Sequence, residues 1–158
     1  MLTSRIAFSL LTIIMTLIYA FGSGFWVNSG NAFYRALKRP IWQPPDYVFG
    51  LIWPYNFLIL IIISASVISA GTLLQKNIWI IFYAISIAAA LTWARMFYVS
   101  ENLIISAVAL AIAALATLPM TYLAWKLQLW AGVAILPYQI WLIVATSLSF
   151  GYSYLNSN

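Results

Sequence analysis

Two side chains on which much enzyme chemistry depends are missing: the chain of 158 residues has no cysteine and no histidine. Without Cys there are no disulfides, thiolate nucleophiles or thiolate metal ligands, and cysteine usage says nothing about redox compartment. Without His there is no imidazole base, no His ligand for zinc and no His axial ligand for haem iron. Carboxylates are scarce as well: Asp46 and Glu101 are the only two, far apart in sequence. No carboxylate pair close in sequence offers general acid–base work, so most hydrolytic mechanisms are removed. Charged residues make up only 6% of the chain, too few to clothe a soluble domain.

What fills the chain instead is apolar. Hydrophobic residues reach 65% and the mean hydropathy is +1.00, which excludes an ordinary water-soluble fold. A hydrocarbon core about 30 Å thick takes roughly 20 apolar residues per helix, so a chain of this length with short links crosses about five times. The expected architecture is an all-α integral membrane protein: one five-transmembrane-helix domain over 1–158, with spans at about 6–26, 47–72, 78–99, 103–125 and 129–154. The short links Gln75–Asn77, Ser100–Asn102 and Lys126–Gln128 make successive helices antiparallel neighbours. Segments of about ten residues with alternating polarity, the mark of a membrane β-barrel, are absent.

The seven basic residues, Arg5, Arg35, Lys38, Arg39, Lys76, Arg95 and Lys126, fall mostly between or at the ends of apolar runs. They read as anchoring to the lipid bilayer and not as a nucleic-acid footprint. With five spans they divide four to three across the membrane, which slightly favours a cytoplasmic C-terminus. The first apolar run could also be a secretory signal peptide. Its continuation through Phe21, Phe25 and Trp26, and the further spans behind it, favour a retained helix. Small residues on the middle spans, among them Ala84 and Ala88, suit a close helix contact within or between subunits.

Aromatic residues make up 17% of the chain, with eight Trp. Trp26, Trp79, Trp125 and Trp130 lie near span ends, where amphipathic rings collect at headgroup level. Trp53, Trp93 and Trp141 lie deeper, and their indole N–H groups need partners in an apolar bundle. A shared internal pocket meets that need. Residues 27–46 form the longest polar interruption, and within them Pro40, Pro44 and Pro45 stiffen and extend the chain. Two readings stay open here: a lid carrying Trp42, or a clean helix start at Pro44–Pro45. Pro137, inside the fifth span, frees a carbonyl one turn before Trp141.

The run Leu-Lys-Arg-Pro-x-Trp-x-Pro-Pro-x-x-Val-Phe from Leu37 to Phe49, Trp53, Trp-Ala-Gly-Val at 130–133, and Pro-Tyr-x-x-Trp-x-x-x-Ala at 137–145 occur in this order. Together they resemble the translocator protein / tryptophan-rich sensory protein (TspO/MBR) family from about Leu37 to Asn156. The resemblance implies a five-helix bundle, commonly a homodimer, that binds porphyrins such as protoporphyrin IX and haem and other flat hydrophobic molecules. It implies a pocket lined by Tyr34, Trp42, Pro44, Pro45, Trp53, Phe57, Ala90, Trp93, Phe97, Pro137, Trp141 and Ala145. The porphyrin would be a ligand and not an obligatory cofactor, and the expected location is a prokaryotic inner or cytoplasmic membrane.

Departures from the family's pattern bear on selectivity. Ala90 and Ser149 stand where many relatives carry Asn, and no Lys or Arg follows Tyr138 to complete a sterol motif of the kind that is weak even when present. Arg95 is either a helix-end side chain snorkelling to headgroups or a partner for a ligand carboxylate. A porphyrin would stack on Trp42, Trp53, Trp93 or Trp141 and pair its propionates with Arg35, Lys38 or Arg39. Sensing, scavenging or carrying a tetrapyrrole is the leading expectation. Light-dependent porphyrin breakdown, or a structural or transport role within a membrane complex, is the alternative.

Overall fold

The length of the apolar runs decides the architecture. In a computed structural model, which describes residues 2–157 and side chains from Arg5 onward, the chain forms six helices. They are α1 (Leu2–Ser29), α2 (Asn31–Ala36), α3 (Asp46–Ala70), α4 (Leu73–Tyr98), α5 (Leu103–Leu127) and α6 (Leu129–Leu155). Apart from the six-residue α2, each contains a stretch of 25 residues or more that is apolar enough to cross a membrane. At 1.5 Å per residue such a helix measures about 38 Å, more than the hydrocarbon core requires. The protein is thus an integral, multi-pass membrane protein with five spanning helices.

The boundaries follow local chemistry. Thr72 starts α4 with a capping box: its hydroxyl accepts from Gln75 N–H at 3.3 Å, and the Gln75 side chain accepts from Thr72 N–H at 2.8 Å. This corrects the expected link at Gln75–Asn77, which belongs to the first turns of α4. Only Gly71 and Thr72 separate α3 from α4. Asn102 caps α5 by accepting from Ile105 N–H, and the single residue Gln128 joins α5 to α6. The Gln128 side-chain oxygen accepts from Ser66 at 2.7 Å and from Trp130 Nε1 at 2.6 Å, tying that turn to α3. The first loop also differs from a plain extended segment, because α1 runs on to Ser29 and α2 follows after Gly30.

Helices α4, α5 and α6 pack side by side, while α1 lies against α3 and α4. The central layer is built on small residues: Ala107, Ala109, Ala113, Ala114, Ala116 and Ala124 of α5 are all buried. Apolar burial gives little drive in lipid, so close backbone approach and interhelical hydrogen bonds hold the bundle. Ala84 and Ala88, by contrast, are exposed, so they make no close contact within the chain.

Several polar groups in the interior are paired across helices. Gln139 of α6 donates to Ala114 O at 3.0 Å and accepts from Thr117 at 2.7 Å. Thr16 of α1 and Tyr83 of α4 share a hydrogen bond of 2.7 Å. Trp79, expected at the membrane interface, is instead fully buried, and its indole donates to Ser64 Oγ at 3.0 Å. The earlier start of α4 carries it nearly two turns into the bundle. Removing that acceptor strands a buried donor, at a cost of about 1–3 kcal/mol. Ser64→Ala is therefore expected to lower the thermal unfolding midpoint by several degrees, and Ser69→Ala, on an exposed site, to leave it in place.

Candidate ligand cavity

Residues 37–45, between α2 and α3, form a strap held to the end of α6. Asn156 accepts from Lys38 N–H at 2.9 Å and donates to Lys38 O at 3.1 Å. Gln43 bridges two tyrosines: its Nε2 donates to the Tyr34 hydroxyl at 3.1 Å, and its Oε1 accepts from the Tyr152 hydroxyl. Pro40 and Trp42 lie on Gly151, where a Cβ would come within 2.9 Å of Pro40 Cγ and 2.7 Å of Trp42 Cζ2. The bare backbone of Gly151 is what lets the strap sit so close.

Next to the two tyrosines that Gln43 bridges, both of which line it, lies a cavity of about 410 Å³. Its α1 wall is Ala20, Ser23, Gly24, Val27 and Asn28, a stripe at helical spacing. Asn31 and Tyr34 come from α2, while Asp46, Phe49, Trp53 and Phe57 come from α3. Helix α4 adds Trp93, Phe97 and Tyr98, and α6 adds Trp141, Ala145, Leu148, Ser149 and Tyr152. The wall is mostly apolar and aromatic, and its volume falls in the range of small-molecule sites.

The three deep tryptophans meet here. Trp53 is nearly parallel to Trp93 (6.4 Å between ring centroids, 23° between planes) and edge-on to Trp141 (6.4 Å, 86°). Phe57 stacks on Trp53 at 5.7 Å, and Phe49 meets Trp141 edge-on at 5.1 Å. Trp93 Nε1 donates to Ser149 Oγ at 2.9 Å, so this serine accepts where the family pattern would place an amide. Trp141 Nε1 is buried and has no partner among the described residues. It is a donor left over beside the cavity, ready for an acceptor on a guest molecule.

Seven of the twelve residues expected at a pocket line this cavity: Tyr34, Trp53, Phe57, Trp93, Phe97, Trp141 and Ala145. Five do not. Trp42 sits half-exposed on the outer side of Gly151, Pro44 and Pro45 lead into α3, Ala90 is fully buried in the helix core, and Pro137 lies one turn before Trp141. Sequence reasoning missed the whole α1 wall, along with Asn31, Asp46, Phe49, Tyr98, Leu148, Ser149 and Tyr152. The α1 residues could have been found from their spacing, but Ala, Ser and Gly give no aromatic signal.

The basic residues are arranged differently from expectation. Arg95 is exposed and off the cavity, which favours its snorkelling reading over that of a ligand partner. Arg35 donates to Asn31 at 3.1 Å, and Arg39 lies over the Tyr34 ring at 5.6 Å. Neither these two nor Lys38 lines the cavity.

Known proteins resemble the chain in sequence over most of its length. The chain is 31% identical over 131 residues to a tryptophan-rich sensory protein of Cereibacter sphaeroides, covering 81% of this chain and 79% of the relative. It is 28% identical over 133 residues to protein CrtK of Rhodobacter capsulatus, covering 82% of each. Tryptophan-rich protein TspO of Chlorobaculum tepidum is 26% identical over 137 residues, covering 85% of this chain and 86% of the relative. With the TspO/MBR family matched over residues 8–155, from the α1 wall of the cavity to the last turn of α6, the chain belongs to that family.

Proposed function

We propose that the cavity binds a flat hydrophobic ligand of the porphyrin class, protoporphyrin IX or haem, and that the protein acts as a membrane sensor or scavenger of such molecules. Family membership supports the broader role, a membrane protein of sensor or receptor type. The observation that carries the ligand class is the convergence of Trp53, Trp93 and Trp141 on one cavity. Flat aromatic walls complement the face of a macrocycle, and the spare N–H of Trp141 suits an acceptor on its rim. Axial ligation by Cys or His is impossible, so a metal-free porphyrin, or haem held through its ring face, fits these walls.

Titration of the purified protein with protoporphyrin IX is expected to quench its tryptophan fluorescence to saturation at one porphyrin per chain. A linear, non-saturating decrease, as from partition into detergent, would remove the proposal. The same sample separates storage from chemistry, because the stacked Trp53 and Trp93 rings offer oxidisable neighbours to an excited porphyrin. Bleaching of the porphyrin under illumination that disappears in Trp53→Phe would indicate breakdown, whereas a stable spectrum indicates holding.

A further inference from the structure

The charged residue on the cavity wall has the same sign as a ligand carboxylate. Asp46, the first residue of α3, lines the cavity with its side chain 78% exposed, and its Oδ1 lies 3.8 Å from Arg39 Nη1. Arg39 in turn covers the ring of Tyr34, itself a wall residue. The cation best placed to receive a ligand carboxylate at the mouth is therefore already faced by a carboxylate of the chain. Arg35 donates to Asn31, and Lys38, whose backbone is tied to Asn156, is exposed and off the cavity wall.

We infer that Asp46 sets the charge selectivity of the cavity, competing with an anionic ligand for Arg39 and so reducing the advantage that free carboxylates would give a flat ligand over a neutral rim. The inference rests on the proposed reading that a flat ligand occupies the cavity. A ligand carboxylate arriving at Arg39 must either displace Asp46 or share the guanidinium with it. One unit charge a few ångströms away in a water-filled mouth changes such an equilibrium by roughly fivefold. The effect fades with salt, since the screening length is only about 10 Å at 0.1 M.

The test compares protoporphyrin IX with its dimethyl ester, which has the same ring and no ionisable carboxylate, on the full-length protein in an uncharged detergent. In Asp46→Asn, which keeps the shape of the side chain and removes its charge, the ratio of diacid to ester affinity is expected to rise about fivefold at low ionic strength and to return toward the wild-type ratio in ~0.5 M salt. Arg39→Gln is expected to move the ratio the other way. If wild type binds both porphyrins and the ratio does not move in Asp46→Asn, or moves without regard to salt, Asp46 is not the selector and only this inference falls. If neither porphyrin binds wild type or variant, the reading of the cavity falls and takes the inference with it.

Discussion

Replacing both Trp53 and Trp141 by alanine is expected to weaken protoporphyrin IX binding about a hundredfold. The two indoles stand at right angles, 6.4 Å apart, so they present a face and an edge to the same guest. Each ring supplies buried apolar area and an aromatic contact worth about 0.5–1.5 kcal/mol beyond that area. A combined loss of about 3 kcal/mol corresponds to roughly two decades in the dissociation constant. Trp141 is 5% exposed, so its truncation also empties core volume, and the thermal midpoint must be measured on the same sample. Trp141→Phe narrows the two effects: it keeps an aromatic ring in the core and deletes, with part of the indole, the N–H that lacks a partner among the described residues. It is expected to fall between wild type and the double variant. Trp130→Phe, on a half-exposed ring outside the cavity, is expected to bind as wild type does. A doubly substituted protein with native stability and native affinity would mean that the porphyrin sits elsewhere.

The five spans were legible because hydropathy over 25 residues is a coarse quantity that does not depend on packing. Boundaries depend on a few hydrogen bonds, and there the reading slipped. Gln75, Lys76 and Asn77 look like a loop by polarity, yet the Thr72-x-x-Gln75 pattern is a helix-start signal that makes those residues the opening of α4. The same slip of about one and a half turns turned Trp79 from a buried hydrogen-bonded core residue into an apparent interface residue. At the cavity, the deep tryptophans could be read because an indole N–H is costly to leave unpaired in an apolar bundle. The α1 wall could not, since Ala20, Ser23 and Gly24 act by being small, and smallness has meaning only against a neighbour. The strap could be recognised as stiff from its prolines, but the pairs that fasten it, Gln43 with Tyr152 and Lys38 with Asn156, lie 109 and 118 residues apart. Local sequence holds no trace of that pairing.

A large loss of stability is expected from a residue that offers the cavity nothing. In the Trp-Ala-Gly-Val run at 130–133, Gly132 stands on the second turn of α6 against the last turn of α5. A Cβ there would lie 2.5 Å from Trp125 Cα and 2.6 Å from Trp125 Cε3. A flexible side-chain tip can swing away, but a backbone atom moves only if its helix moves. That escape is closed by the one-residue link: Gln128 is anchored to Ser66 and Trp130, so α5 and α6 have no slack with which to part. Overpacking a core commonly costs 1–3 kcal/mol, and with backbone as the obstacle Gly132→Val is expected to cost about 3 kcal/mol or more. For a chain of this size that lowers the unfolding midpoint by roughly 6–12 °C, readable in detergent by thermal denaturation, with a matching fall in recoverable protein. Gly50→Ala is the control, because no heavy atom lies within 4 Å of a Cβ built there and alanine is the better helix former; it is expected to be neutral or slightly stabilising. Equal stability of the two variants would mean that α5 and α6 can separate at this point. The tight α5–α6 contact would then no longer account for the glycine in the run.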